Sequence, residues 1–123
     1  MKTILVVDDE ADIREIICEI LQGTGVRTLC ARNGEEAIRA LSLFIPDAVV
    51  LDLKMPGVDG FDVIHHMRAT KIPIIVLTAT QVVQEAREQF RQLGVFRWMT
   101  KPFEPEELCA AVAEAVGGLS HGA

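Results

Sequence analysis

The chain has 123 residues, half of them hydrophobic, which is enough to bury the core of one domain and too few for a second. Its net charge of −6 argues against gripping nucleic-acid phosphates, a task for clustered Lys and Arg. No apolar stretch is long enough to cross a bilayer and the N-terminus has no signal-peptide pattern, so the expectation is a cytoplasmic protein with no membrane partner.

The first predicted strand, residues 3 to 7, is an unbroken apolar run that ends on Asp8-Asp9. Ile13, Ile16, Ile17, Ile20 and Leu21 then repeat at helical spacing, and a second strand follows at 27 to 31. A helical stripe of Ala37, Ile38 and Leu41 leads to a third strand at 47 to 51, which ends on Asp52. Pro56-Gly57 and Asp59-Gly60 mark the loop after it, before the stripe Phe61, Ile64 and Met67. The fourth strand, 73 to 77, is followed by Val83, Ala86, Phe90 and Leu93, and the fifth, 95 to 99, by Leu108, Ala111, Val112 and Ala115. Pro105 suits the first turn of that last helix. A domain is therefore expected over residues 1–117, with 118–123 a disordered tail or the start of a linker. Three cysteines, odd in number and widely spaced, are expected to be buried, reduced thiols.

Strict alternation of strand and helix predicts an α/β fold with a parallel sheet; the arrangement expected for it is doubly wound and five-stranded, flavodoxin-like, with strand order 2-1-3-4-5. Its ligand crevice lies at the C-terminal ends of the strands, where the order reverses. Asp8, Asp9 and Asp52 all fall there. Three like charges repel, and oxygen-only ligation of a hard cation such as Mg²⁺, with Mn²⁺ as a substitute, would join them and bring a phosphate with it. Thr78 ends the fourth strand and Lys101 follows the fifth, so a hydroxyl and an ammonium reach the same rim. A carboxylate can attack a phosphoryl group whose charged oxygens a metal, a hydroxyl and a lysine hold in place.

Asp8-Asp9, Asp52, Thr78-Ala79 and Lys101-Pro102, with the phrases Leu51-Asp52-Leu53-Lys54-Met55-Pro56-Gly57-Val58-Asp59-Gly60 and Lys101-Pro102-Phe103, resemble the receiver domain of bacterial two-component response regulators. The resemblance runs from Ile4 to about Val116, and its strength lies in five short phrases in order. It implies a phosphorelay role, with Asp52 accepting a phosphoryl group from a histidine kinase or histidine phosphotransfer protein. It implies Mg²⁺ ligation by Asp8, Asp9, Asp52 and the Lys54 backbone carbonyl, and phosphoryl oxygens held by Thr78, Lys101 and the Ala79 amide. A cis Lys101-Pro102 bond is implied as well, a geometry that proline makes accessible. Thr78 and Trp98 would be the switch elements, the domain would phosphorylate and dephosphorylate itself rather than act as a true enzyme, and a downstream effector would read the result. It would do so as a monomer or a phosphorylation-dependent dimer, without binding nucleic acid directly. Trp98 departs from the commoner Tyr, Phe or His, and Phe96 and Arg97 stand where acidic dimer-face residues are usual, suggesting a more apolar surface.

Simpler readings exist for each residue. Asp8 and Asp9 fit a helix N-cap pair, Thr78 another cap, Lys101 a solvated lysine and Trp98 a plain core position. His65 and His66 are adjacent, so they point apart on a helix and receive no role. Glu104, Glu106 and Glu107 look like first-turn charges, and Met55 and Met99 like packing. Two other function classes compete: a phosphatase with an aspartate nucleophile, whose haloacid dehalogenase-like motif needs an acid where Lys54 stands, and an interaction module that takes no phosphate.

Overall fold

The computed structural model describes residues 1–55, 57–79 and 84–117. Pro56 of the loop signal, Val83 of the fourth stripe and the tail 118–123 lie outside the described residues. Five parallel strands, β1 (Thr3–Val7), β2 (Arg27–Ala31), β3 (Ala48–Leu51), β4 (Ile74–Thr78) and β5 (Val95–Thr100), alternate with five helices and pair in the order β2-β1-β3-β4-β5. The helices are α1 (Ala11–Gln22), α2 (Gly34–Leu43), α3 (Gly60–His66), α4 (Gln84–Gln92) and α5 (Pro105–Ala115).

The expected third and fourth strands each began one residue early. Asp47 stands outside β3, where its N–H donates to the Thr3 carbonyl at 2.7 Å and its Oδ2 accepts from the Thr3 N–H at 2.8 Å. Pro73 has no N–H for a ladder, yet its carbonyl still accepts from Val49 at 3.0 Å. The fourth and fifth strands also run one residue further, to Thr78 and Thr100, which pair in register.

The three central strands are buried on both faces, as their unbroken apolar runs require. One face packs Ile4, Val6, Val50, Ile75 and Leu77 against Ile17, Leu21, Leu108 and Val112 of α1 and α5. The other packs Leu5, Val7, Val49, Leu51 and Val76 against Ala37, Val63 and Ile64 of α2 and α3, with Phe90 of α4 beside them.

A β-bulge in β5 breaks the alternation. Ile74 pairs with Val95 but Ile75 pairs with Arg97, leaving Phe96 as the extra residue and 46% exposed. Beyond the bulge every side chain exchanges faces, so Trp98 joins Val95 on the α2–α4 side while Met99 turns to the α1–α5 side. Arg97 lies over the exposed Phe96 ring at 5.9 Å and forms an ion pair with Glu114 of α5.

The cysteines depart from the uniform burial expected of them. Cys18 is buried, Cys109 partly so, and Cys30 is exposed on β2, an edge strand with one neighbour.

Candidate functional site

β1 pairs with β3 so that Val7 lies opposite Leu51, and each strand stops at the next residue, so Asp8 and Asp52 emerge side by side. Both are buried, whereas Asp9 is exposed. Carboxylate oxygens of Asp8, Asp9 and Asp52 all lie within 4.8 Å of one another. Clustered carboxylate oxygens are the hard donors that Mg²⁺ takes, so this acid cluster has the chemistry to hold such an ion.

The simpler reading of Asp8-Asp9 as a cap is not what the geometry shows. The N-cap of α1 is Glu10, which makes no side-chain cap bond, while Asp8 Oδ1 accepts from the Glu10 N–H at 3.0 Å. Arg14 Nη1, one turn into α1, donates to the Asp8 carbonyl at 2.8 Å and ties the helix to the end of the strand. Just after β3, Asp52 Oδ1 accepts from the Lys54 N–H at 3.2 Å.

Lys101 brings the protein's own cation to these acids. Its Nζ lies 2.8 Å from Asp8 Oδ2, 3.1 Å from Asp52 Oδ2 and 3.7 Å from Glu10 Oε1. The reach across three elements is set by the Lys101 N–H, which donates to the Thr78 carbonyl at 3.0 Å, and the Lys101-Pro102 peptide beyond it is cis. Burial raises the Asp8 carboxyl above its usual range despite the opposing Lys101 hydrogen bond. For Lys101 burial works to lower the ammonium, but the combined pull of Asp8 and Asp52 outweighs it and holds the group above its usual value. One ammonium thus answers two of three clustered carboxylates, and the cleft retains an acidic excess.

That cleft, about 310 Å³, is lined by Asp9, Glu10, Asp52, Lys54, Thr78, Ala79 and Lys101. Thr78 is buried at the end of β4, and Ala79 is exposed one residue on. Trp98 is not among the lining residues. It pairs with Val76 on the flank of the sheet, meets the Phe90 ring at a 59° tilt with 6.1 Å between centroids and has the Arg87 guanidinium 5.9 Å above its ring. Its buried Nε1 has no hydrogen-bond partner among the described residues.

Two residues escaped the sequence reading. Glu10 lines the cleft beside Lys101, and its place directly after two functional acids was the available signal. Gly60 opens α3 against the backbone just beyond β3: a Cβ there would stand 2.6 Å from Leu53 Cα and closer still to the Asp52 carbonyl oxygen. Only glycine fits this approach, and nothing local distinguishes it from the neighbouring turn glycine.

Residues 4–113 match the family model for the response regulator receiver domain. Regulatory protein AtoC of Escherichia coli (strain K12) is 36% identical over 115 residues, covering 92% of this chain and 25% of AtoC. Phosphate regulon transcriptional regulatory protein PhoB of the same organism is 34% identical over 123 residues, covering 97% of this chain and 53% of PhoB. This chain therefore spans about half or less of the length of these relatives. The receiver domain of Francisella response regulator 1452 superposes with a TM-score of 0.86 at 28% identity, covering 95% of this chain and 98% of that one. Sequence, topology and the acid-lined crevice agree, and the chain belongs to the response regulator receiver domains, the signalling switches of two-component systems.

Proposed function

We propose that Asp52 accepts a phosphoryl group from a phosphohistidine on a histidine kinase or histidine phosphotransfer protein, in a Mg²⁺-dependent reaction for which Mn²⁺ can substitute. The observation that carries this reading is the convergence of Asp8, Asp9, Asp52 and Lys101 on one rim of a cleft that Thr78 and Ala79 also line. An Asp52 carboxylate oxygen attacks phosphorus while the donor's N–P bond breaks and its electron pair returns to the imidazole. Lys101, already poised over Asp52 Oδ2, exchanges part of its carboxylate contact for a phosphoryl oxygen. The Thr78 hydroxyl and the Ala79 N–H bind the remaining oxygens, and later attack by water returns Asp52. Asp8, Asp9, Asp52 and the Lys54 carbonyl would hold the metal, which neutralises phosphoryl charge.

Phosphorylation adds roughly 1.5 to 2 negative charges to a rim of packed side chains, enough to bias an element with two arrangements. Thr78 and Trp98 are the proposed elements, the second because its buried indole N–H has no partner holding it in place among the described residues. A downstream effector reads the change. Residues 1–117 form the working unit. It acts in the cytoplasm as a monomer or phosphorylation-dependent dimer, without membrane or direct nucleic-acid contact. Incubation with a small acyl phosphate and Mg²⁺ tests the assignment. One hydroxylamine-labile phosphoryl group per chain is expected on the wild type and none on Asp52→Asn; undiminished labelling of the variant would overturn it.

A further inference from the structure

Two thiols meet on the flank of the sheet, away from the acidic cleft. Cys18 of α1 and Cys30 of β2 have Sγ atoms 2.8 Å apart. One helical turn on, Gln22 Nε2 donates to Thr28 Oγ1, also at 2.8 Å. Helix positions four apart share a face and strand positions two apart share a side, so these contacts are successive rungs of one ladder between α1 and β2. The second rung holds the first in register. A disulfide bond is about 2.04 Å long, so closing this pair asks for roughly 0.8 Å of sulfur approach.

The two sulfurs differ in access. Cys30 is exposed on the edge strand, whereas Cys18 is buried in the α1–α5 core. Burial, then the hydrogen bond with Cys30, pushes the Cys18 thiol up to about 12. Such asymmetry divides the work, with the exposed thiol first to react and the buried one resolving.

We propose that Cys18 and Cys30 form a reversible intramolecular disulfide, a redox modification site that fastens α1 to β2. With a small disulfide such as oxidised glutathione as oxidant, the Cys30 thiolate attacks one glutathione sulfur, the glutathione S–S bond breaks, and one glutathione thiolate leaves. The Cys18 thiolate then attacks Cys30 Sγ, breaking the mixed disulfide and expelling the second glutathione thiolate. Two cysteine thiols are oxidised by two electrons, one glutathione disulfide is reduced by two, and the two thiol protons end on the two glutathione thiols. The raised Cys18 thiol makes the second step the slower one, and it quickens as pH rises.

The link lies one turn beyond Arg14, whose guanidinium holds the Asp8 carbonyl, so it stiffens the helix that abuts the acidic cleft.

The test uses the whole chain, fully reduced, in glutathione buffers of graded ratio at native conditions, quenched by alkylation and read by intact and peptide mass. A species lacking two hydrogens, linked Cys18 to Cys30 with Cys109 alkylated, is expected to accumulate as the buffer becomes more oxidising, and faster at higher pH. Cys18→Ala should stop at a Cys30–glutathione adduct, and Cys30→Ser should form no link. The exposed position of Cys30 keeps this second variant folded, verified by far-UV circular dichroism, should Cys18→Ala unfold. The proposal is overturned if the wild type stays a dithiol at the most oxidising ratio, if it stops at the glutathione adduct, or if the link involves Cys109 as often as Cys18.

Discussion

Replacing Gly60 by alanine tests how α3 is fitted against the acceptor strand. The added Cβ would stand 2.6 Å from Leu53 Cα, about 0.8 Å inside the 3.4 Å at which ordinary contact begins, with the Asp52 carbonyl carbon at 3.1 Å. Every obstructing atom is backbone, so no flexible side chain can swing aside. With only backbone to give way, the overpacking cost sits at the top of the usual range, about 3 kcal/mol. Alanine's smaller loss of chain entropy returns about 0.4–1 kcal/mol, leaving a net loss of about 2 kcal/mol. For a domain of 123 residues that corresponds to a fall in Tm of roughly 6–10 °C. Because the displaced peptide carries Asp52, phosphate incorporation from a small acyl phosphate should also slow by roughly 10–100-fold, although no cleft side chain is altered. Urea unfolding and the labelling rate are the assays, with Gly25→Ala as comparator. Gly25 has φ +95° and nothing within 4 Å of a Cβ, so its replacement carries backbone strain alone, about 1 kcal/mol. A Gly60→Ala protein no less stable than Gly25→Ala, with an unchanged labelling rate, would refute the steric argument.

Removing the ammonium at Lys101 with Lys101→Met leaves Asp8 and Asp52 facing each other and should cost about 2 kcal/mol near neutral pH. The variant's Asp8 carboxyl, already raised by burial, then rises further, and its native state takes up a proton that the unfolded chain takes up only at lower pH. The loss should therefore shrink as pH falls from neutrality toward the ordinary 3.8, and an equal loss at both ends would contradict the pairing. In the wild type Lys101 is held above its ordinary 10.5, so its contribution is complete below that value and fades as pH rises beyond it; alkaline denaturation of wild type and variant should converge there. Mg²⁺ should stabilise the fold by about 2.7 kcal/mol at a hundred times its Kd, and removal by chelator should reverse this. Asp8 above its ordinary 3.8 means protons begin to compete with the metal at a higher pH than for a free carboxylate, so calorimetric Mg²⁺ affinity should fall as pH drops through that interval; a pH-independent affinity would exclude Asp8 as a ligand. Trp98→Phe should cost less than about 1 kcal/mol in urea unfolding, since its Nε1 has no hydrogen bond among the described residues to lose; more than about 2 kcal/mol would show the indole nitrogen to be engaged.

The architecture and the acid rim were legible because each rests on local pattern. Apolar runs such as Ile4–Val7 and Ala48–Leu51 are buried on both faces only in a parallel sheet, and a carboxylate placed directly after such a run has nowhere to emerge but the sheet's C-terminal edge. Thr78 and Lys101 follow their strands by the same logic. The chain's own order of residues therefore determined the fold class and the rim at which Asp8, Asp9, Asp52, Thr78 and Lys101 gather.

Tertiary structure decided what depends on approach between segments distant along the chain. The bulge at Phe96 reverses the faces of Trp98 and Met99, a one-residue change in pairing that periodicity within β5 cannot register. Lys101 spans from Thr78 to both Asp8 and Asp52, so an ammonium expected for a ligand already offsets the protein's own acids. Gly60 is glycine because the Asp52–Leu53 backbone lies against it, and Cys18 finds Cys30 because a helical turn and a strand step happen to come into register. Local sequence fixes where a residue sits in its own element. Distances between elements, and hence charge pairing, steric fit and thiol contact, exist only once the sheet and helices pack.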